Sequence, residues 1–300
     1  MISIDCRKNL AGAAGNLQLD VRMHIEHGAF VTLFGSSGAG KTSVLRMLAG
    51  LTSPDSGRIE VAGEIWFDSD KRIVLAPQQR SLGMVFQDYA LFPNLTVAEN
   101  VAYAIDKTQL LQLPRLLELT GLSSLSDRSP SGLSGGQKQR VALARALGRV
   151  LPGTGANAAK TRPPLLLLDE PLSALDTVLR VQLQDELLVL HRELGLTTIL
   201  VSHDIAEVFK MSQQVFVLEE GEILRSGTPA AIFLRQQVQG ALQLQAQVLA
   251  IRQEEVVFIL SLLVGQDIVE VIAAQDEVAH LHIGKRITIS AKAFSPMIFA

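Results

Sequence analysis

The sequence predicts an α/β fold: a parallel sheet core with an antiparallel side sheet and a helical lobe, followed by a small β-barrel. Three observations predict it. Short apolar strands alternate with helix-period segments through residues 1–228. Between them, residues 59–85 hold strand-like pieces and turn signals, and residues 96–128 read mostly helical. From residue 242 the pattern changes to alternating strands punctuated by Gly265 and Gly284.

Each element has its own reason. Residues 29–34 are apolar, β-branched and aromatic and stop at Gly35, as a buried strand does. Val44, Leu45, Met47 and Leu48 then recur at helix spacing over residues 42–49. Leu165, Leu166, Leu167 and Leu168 form a second buried strand, and residues 178–194 a long amphipathic helix stopped by Gly195. Residues 197–201 and 215–218 supply a third and a fourth strand. Residues 152–164, rich in proline, glycine and alanine with no apolar period, read as a surface loop. Thr228 and Pro229 suit the cap and first position of a helix. The expected division is an α/β domain at 1–228 with its lobe at about 88–148, a linker helix at 229–241, and a small β-barrel at 242–300.

Composition limits the function. The chain carries 27 basic and 30 acidic residues, a balance of −3, so it has no global attraction for nucleic acid or anionic lipid. With 48% hydrophobic and 19% charged residues it is not a disordered chain. A single cysteine, Cys6, excludes an intrachain disulfide and a thiolate metal cluster and suits a reducing compartment. Mean hydropathy is +0.27. Yet the apolar runs at 256–260 and 262–264 are broken by Ser261 and fall short of the roughly 18–20 residues of a membrane span. The first residues, Met1-Ile2-Ser3-Ile4-Asp5, do not read as a signal peptide.

Gly35-Ser36-Ser37-Gly38-Ala39-Gly40-Lys41-Thr42 matches G-x-x-x-x-G-K-[ST], between a strand and a helix. Such glycines let successive N–H groups face phosphate oxygens, and the helix adds its N-terminal dipole. Lys41 would reach the β and γ phosphates, and the Thr42 hydroxyl would ligate Mg²⁺. Asp169 and Glu170 follow the Leu165–168 strand. Asp169 is the candidate Mg²⁺ ligand and Glu170 the candidate general base for an attacking water.

Leu133-Ser134-Gly135-Gly136-Gln137, with Gln87, the Ser173-Ala174-Leu175-Asp176 run and His203, resembles the ATP-binding cassette (ABC) ATPases. Ser134 and the two glycines open a helix, a second anion site that one γ-phosphate does not need. The resemblance implies that two copies pair head to tail. Ser134, Gly135, Gly136, Gln137 and Asp176 of one would then close over MgATP held by the other. It implies that Gln87 contacts Mg²⁺ and the attacking water, and that His203 orients Glu170 and that water. Tyr89, Ala90, Leu91, Phe92 and Pro93 either pack the helical lobe or, as the resemblance implies, form a groove for a membrane permease subunit. A solute-binding protein would be an indirect partner, nucleic acid would not be one, and the chain would lie peripherally on the cytoplasmic face of the membrane.

The ending from Gly284 to Ser295 resembles the last strand of the β-barrel in molybdate-binding modules. Within the family the chain is most similar to molybdate-import ATPases, with sulfate, iron, polyamine or sugar import as alternatives. Lys292 and Ser295 are candidate oxyanion ligands or simply solvated strand residues. The family's adenine-stacking aromatic is missing, since no Phe, Tyr or Trp precedes Phe30. A soluble, non-transport ABC ATPase would need a coiled-coil insertion, a second cassette or a basic face, and an exporter half would need fused spans.

Overall fold

The structure, a computed structural model, describes residues 1–12, 15–150, 164–173, 175–233, 241–253, 258–273 and 275–292. The chain divides into two units, residues 1–234 and 235–300. The first unit opens with a hairpin of β1 (Ile2–Gly12) and β2 (Gly15–Ile25), in which Ile2 faces Ile25. After β3 (Phe30–Phe34) and α1 (Lys41–Ala49) come three antiparallel strands, β4 (Ser56–Val61), β5 (Glu64–Asp68) and β6 (Ile73–Val74). β7 (Leu82–Val85) leads into α2 (Val97–Ala102), α3 (Leu113–Leu119) and the long α4 (Gly135–Val150). The unit closes through β8 (Leu165–Asp169), α5 (Thr177–Glu193), β9 (Thr197–Ser202), α6 (Ile205–Met211), β10 (Gln214–Glu219), β11 (Glu222–Gly227) and α7 (Pro229–Phe233).

These strands make one sheet in the order β6-β5-β4-β1-β2-β11-β10-β3-β9-β8-β7. The run β10-β3-β9-β8-β7 is parallel throughout. Its strands are apolar on both faces because both are covered. One face packs Val31, Leu33, Leu165, Leu167 and Val201 with α1. The other packs Leu166, Leu168 and Leu200 with α4 and α5.

Two expectations need correction. Residues 82–85 are not part of the side sheet: β7 joins the parallel core, where Val85 registers with Leu168. Gly83 makes this possible, since a Cβ there would stand 2.1 Å from the Ala146 carbonyl oxygen of α4. The expected antiparallel side sheet is present as one flank of the same sheet: the β1–β2 hairpin carries β4 on one side and meets β11 on the other. Residues 96–128 form only short helices and 3₁₀ turns. Pro114 and Gly121 punctuate them.

In the second unit, β12 (Ala241–Gln253), β13 (Phe258–Val264), β14 (Asp267–Ala273) and β15 (Arg286–Lys292) form an antiparallel sheet ordered β14-β13-β12-β15, with a short α8 (Gln275–Val278). Val248, Leu260, Leu262 and Val278 are at the centre of its own core. The expected linker helix is described only as far as Phe233, where Thr228 Oγ1 accepts from the Ala231 N–H as an N-cap. Residues 152–163 of the proline-rich loop lie outside the described residues.

Candidate active site

The parallel strands deliver the phosphate loop, Gln87, Asp169, Glu170 and His203 to one edge, their carboxyl ends. Phe34 registers with Ser202, Asp169 with Val201, and Val85 with Leu168. The segments leaving β3, β7, β8 and β9 are therefore Gly35–Gly40, Phe86-Gln87, Glu170 and His203. In an open parallel sheet this edge is where ligands bind.

Sterics dictate the glycines of the phosphate loop. A Cβ on Gly35 would lie 2.2 Å from the Leu218 carbonyl oxygen. Gly40 holds φ at 102°, where side chains are strained, and opens α1. The Lys41 ammonium donates to the Gly35 and Ser36 carbonyls, both at 2.8 Å. It is thereby centred within its own loop, and burial lowers its pKa. Thr42 Oγ1 donates to Asp169 Oδ1 at 2.9 Å, joining the loop to the end of β8. Asp169 is buried, which pushes its carboxyl pKa up; the Thr42 bond opposes this. Among the described residues no group of three or more His, Cys, Asp or Glu could hold a metal. The Thr42 hydroxyl and the Asp169 carboxylate nevertheless fit Mg²⁺, which takes one or two protein oxygens and completes its shell with phosphate and water.

Glu170 stands in the left-handed region at φ 46°, a strained conformation for a side-chain residue. Its N–H donates to the Val201 carbonyl. Its Oε1 lies 3.6 Å from His203 Nδ1. Both border a cavity of about 60 Å³ also lined by Ser173, Arg180, Ser202 and Glu207. That is room for a water molecule or two, each taking about 30 Å³ in the liquid. Arg180 was not singled out from the sequence. It donates from Nη2 to the Leu175 carbonyl at 3.1 Å and approaches Asp204 at 3.5 Å, tying the residue before Asp176 to the residue after His203. Its place one helical turn after Asp176 is the signal that could have marked it.

Ser134 and Gln137 form a capping box on α4: Gln137 N–H donates to Ser134 Oγ, and Ser134 N–H to Gln137 Oε1. Ser134 and Gly135 are exposed, while Gly136 is buried against Leu179. Asp176 caps α5 by accepting from the Leu179 N–H at 3.0 Å. Among the described residues no hydrogen bond joins the 134–137 turn or Asp176 to the 35–42 loop. Gln87 is exposed. In the following segment Tyr89 and Leu91 pack against the lobe core, whereas Phe92 is exposed, its ring tilted against that of Tyr103 with centroids 4.7 Å apart. Lys292 ends β15; its side chain, and all of Ser295 and Ala174, lie outside the described residues.

A strand–loop–helix holding a central lysine, with two carboxylates at the carboxyl end of β8, one strand removed across β9, defines a phosphate-loop nucleotide-binding protein. A family model described as "ABC transporter" matches residues 19–152. The chain is 47% identical over 216 residues to a sulfate/thiosulfate import ATP-binding protein of Chromobacterium violaceum, covering 70% of this chain and 54% of that one. It is 42% identical over 229 residues to a probable sulfate/thiosulfate import ATP-binding protein of Chlorella vulgaris, covering 74% and 89%. Other relatives are named for import of trehalose/maltose, spermidine/putrescine and Fe(3+) ions, at 40%, 43% and 43% identity. Among solved structures, a dimeric bacterial ABC transporter cassette matches with a TM-score of 0.61 and 28% identity, over 76% of this chain and 99% of that one. The chain belongs to the ABC transporter family, and the relatives named here are import ATP-binding proteins. It spans about half the length of most of the curated relatives named here.

Proposed function

We propose that this chain is the ATP-hydrolysing subunit of an ABC importer, acting as a head-to-tail pair of copies. The observation that carries the reading is the Thr42–Asp169 bond, which sets the phosphate loop beside the Glu170–His203 cavity. Residues Gly35, Ser36, Ser37, Gly38, Ala39 and Gly40 present backbone N–H groups to the phosphates, and Lys41 exchanges its two carbonyl acceptors for phosphate oxygens. Thr42, Asp169 and Gln87 would hold Mg²⁺, which would supply positive charge beside the transferred phosphoryl group. Glu170 takes the proton of the attacking water as the bond to the ADP oxygen breaks, and His203 keeps carboxylate and water aligned. Ser134, Gly135 and Gly136 of the other copy present the amino end of α4 to the γ-phosphate, with Gln137 shaping that turn and Asp176 at the seam.

In this reading residues 1–228 are the ATPase domain, 229–241 a linker helix, and 242–300 an accessory barrel resembling molybdate-binding modules. The permease subunits dock at residues 89–93, and the chain sits peripherally on the cytoplasmic face. The solute is an oxyanion, molybdate by the resemblance of the tail; the relatives named for sulfate/thiosulfate support the sulfate alternative. Lys292 and Ser295 are the candidate regulatory oxyanion ligands.

Glu170→Gln tests the core of the reading. ATP turnover is expected to fall at least about 100-fold while ATP binding persists. The same variant is expected to become a dimer on adding MgATP, seen by light scattering. Normal turnover, or a monomer under those conditions, would refute it. Reconstitution with the cognate permease, comparing ATPase stimulation by sulfate and molybdate, decides the solute.

A further inference from the structure

Helix α4 packs an apolar face of Val141, Ala142, Ala144 and Leu147 into the lobe and core. One charged side chain, Arg145, reaches from it to the segment after Gln87. Its Nη1 donates to the Ala90 carbonyl at 2.6 Å and its Nη2 to the Tyr89 carbonyl at 2.9 Å. Its guanidinium carbon stands 5.3 Å from the centroid of the Phe92 ring. Tyr89 and Ala90 are consecutive non-glycine residues with φ of 61° and 44°. Such a pair persists only where its surroundings hold it. Here the planar, two-pronged guanidinium takes both carbonyls at once, as an ammonium point charge cannot. Asn100, fully buried, fixes the far end by accepting from the Phe92 N–H and donating to the Phe92, Leu95 and Thr96 carbonyls.

We propose that Arg145 is a positioning residue that clamps the strained turn at Tyr89 and Ala90. Through the rigid α4, it makes the placement of Gln87 depend on the placement of the Ser134–Gln137 turn. The catalytic part of this inference rests on the proposed ATPase function; the clamp itself does not.

The test uses the full chain with Arg145→Met, which keeps the length but removes the donors, and Arg145→Lys, which keeps the charge. Amide hydrogen exchange across residues 88–92 is expected to quicken at least about tenfold in Arg145→Met and by less in Arg145→Lys, with β8 and β9 unchanged. For MgATP hydrolysis, kcat is expected to fall at least about tenfold while KM stays within about twofold, because the phosphate loop is untouched. Unchanged exchange and unchanged kcat in a folded variant would overturn the clamp. Should Arg145→Met not fold, wild-type values in Arg145→Lys would overturn it equally. A wild-type chain that binds but never hydrolyses MgATP would overturn the proposed function instead, and exchange alone would then decide the clamp.

Discussion

Gly35 and Asp169 illustrate two kinds of constraint on single side chains. At Gly35 the constraint is steric: any Cβ meets the Leu218 carbonyl of the neighbouring strand. Gly35→Ala is expected to cost about 2–3 kcal/mol, read as a lowered midpoint of denaturant unfolding, with ATP affinity reduced as the loop is displaced. At Asp169 the constraint is electrostatic. Burial holds its carboxyl above the ordinary aspartate range. As pH rises, the unfolded chain loses this proton first, so the group's contribution to stability falls between the ordinary value and the raised folded one, and stays low above it. Asp169→Asn is therefore expected to melt at a higher temperature than wild type at neutral pH without nucleotide. The gap should close as pH falls below the ordinary aspartate value, and ATP hydrolysis should be lost. Calorimetry across pH checks the first part and an ATPase assay the second. Most of these site residues were legible in the sequence, because backbone room and phosphate chemistry confine residue choice at fixed spacing. Arg145 was not, because its hydrogen-bond partners are the Tyr89 and Ala90 carbonyl groups, which carry no residue identity, and Arg180 was marked only by its place one helical turn after Asp176.

At the level of helices and strands, α4 separates a structural role from a chemical one at a single position. Ser134 caps the helix reciprocally with Gln137. Ser134→Ala is expected to cost about 1 kcal/mol. Aspartate caps as well as serine, so Ser134→Asp should keep the melting temperature while setting a carboxylate where the proposed pairing brings a γ-phosphate. ATP hydrolysis is then expected to fall at least about tenfold. Thermal melts beside steady-state assays distinguish the two substitutions. The parallel strands and their helices were readable from apolar period. The first hairpin also carries its pattern openly: Ile2, Ile4, Cys6, Val21, Met23 and Ile25 are all buried and alternate with polar residues. Its position was not readable, since strand neighbours such as β2 and β11 are set by long-range packing. β7 misled because four residues hold too little pattern to tell a parallel partner from an antiparallel one.

For the chain as a whole, the separation of cores matters most. Each described core cluster lies within one unit, three in the first and one in the second. A chain ending at residue 234 is expected to fold and to bind ATP with unchanged affinity, as nucleotide titration would show. A chain ending at residue 228 should be less stable by about 2 kcal/mol, because it loses Phe233, whose ring lies 4.9 Å from that of Phe34. Comparing the two melts decides the point.

The close approach of Gly83 to Ala146 has a mechanical consequence. So close a backbone contact would act as a fulcrum, resisting a slide of α4 along the sheet more than a tilt about that point. Ser134 lies roughly 12 residues away, about 18 Å along the helix axis. A tilt of about 10° would sweep the Ser134 end through some 3 Å. The helix is thus geared to turn a small rotation at the sheet into a large stroke at its amino end.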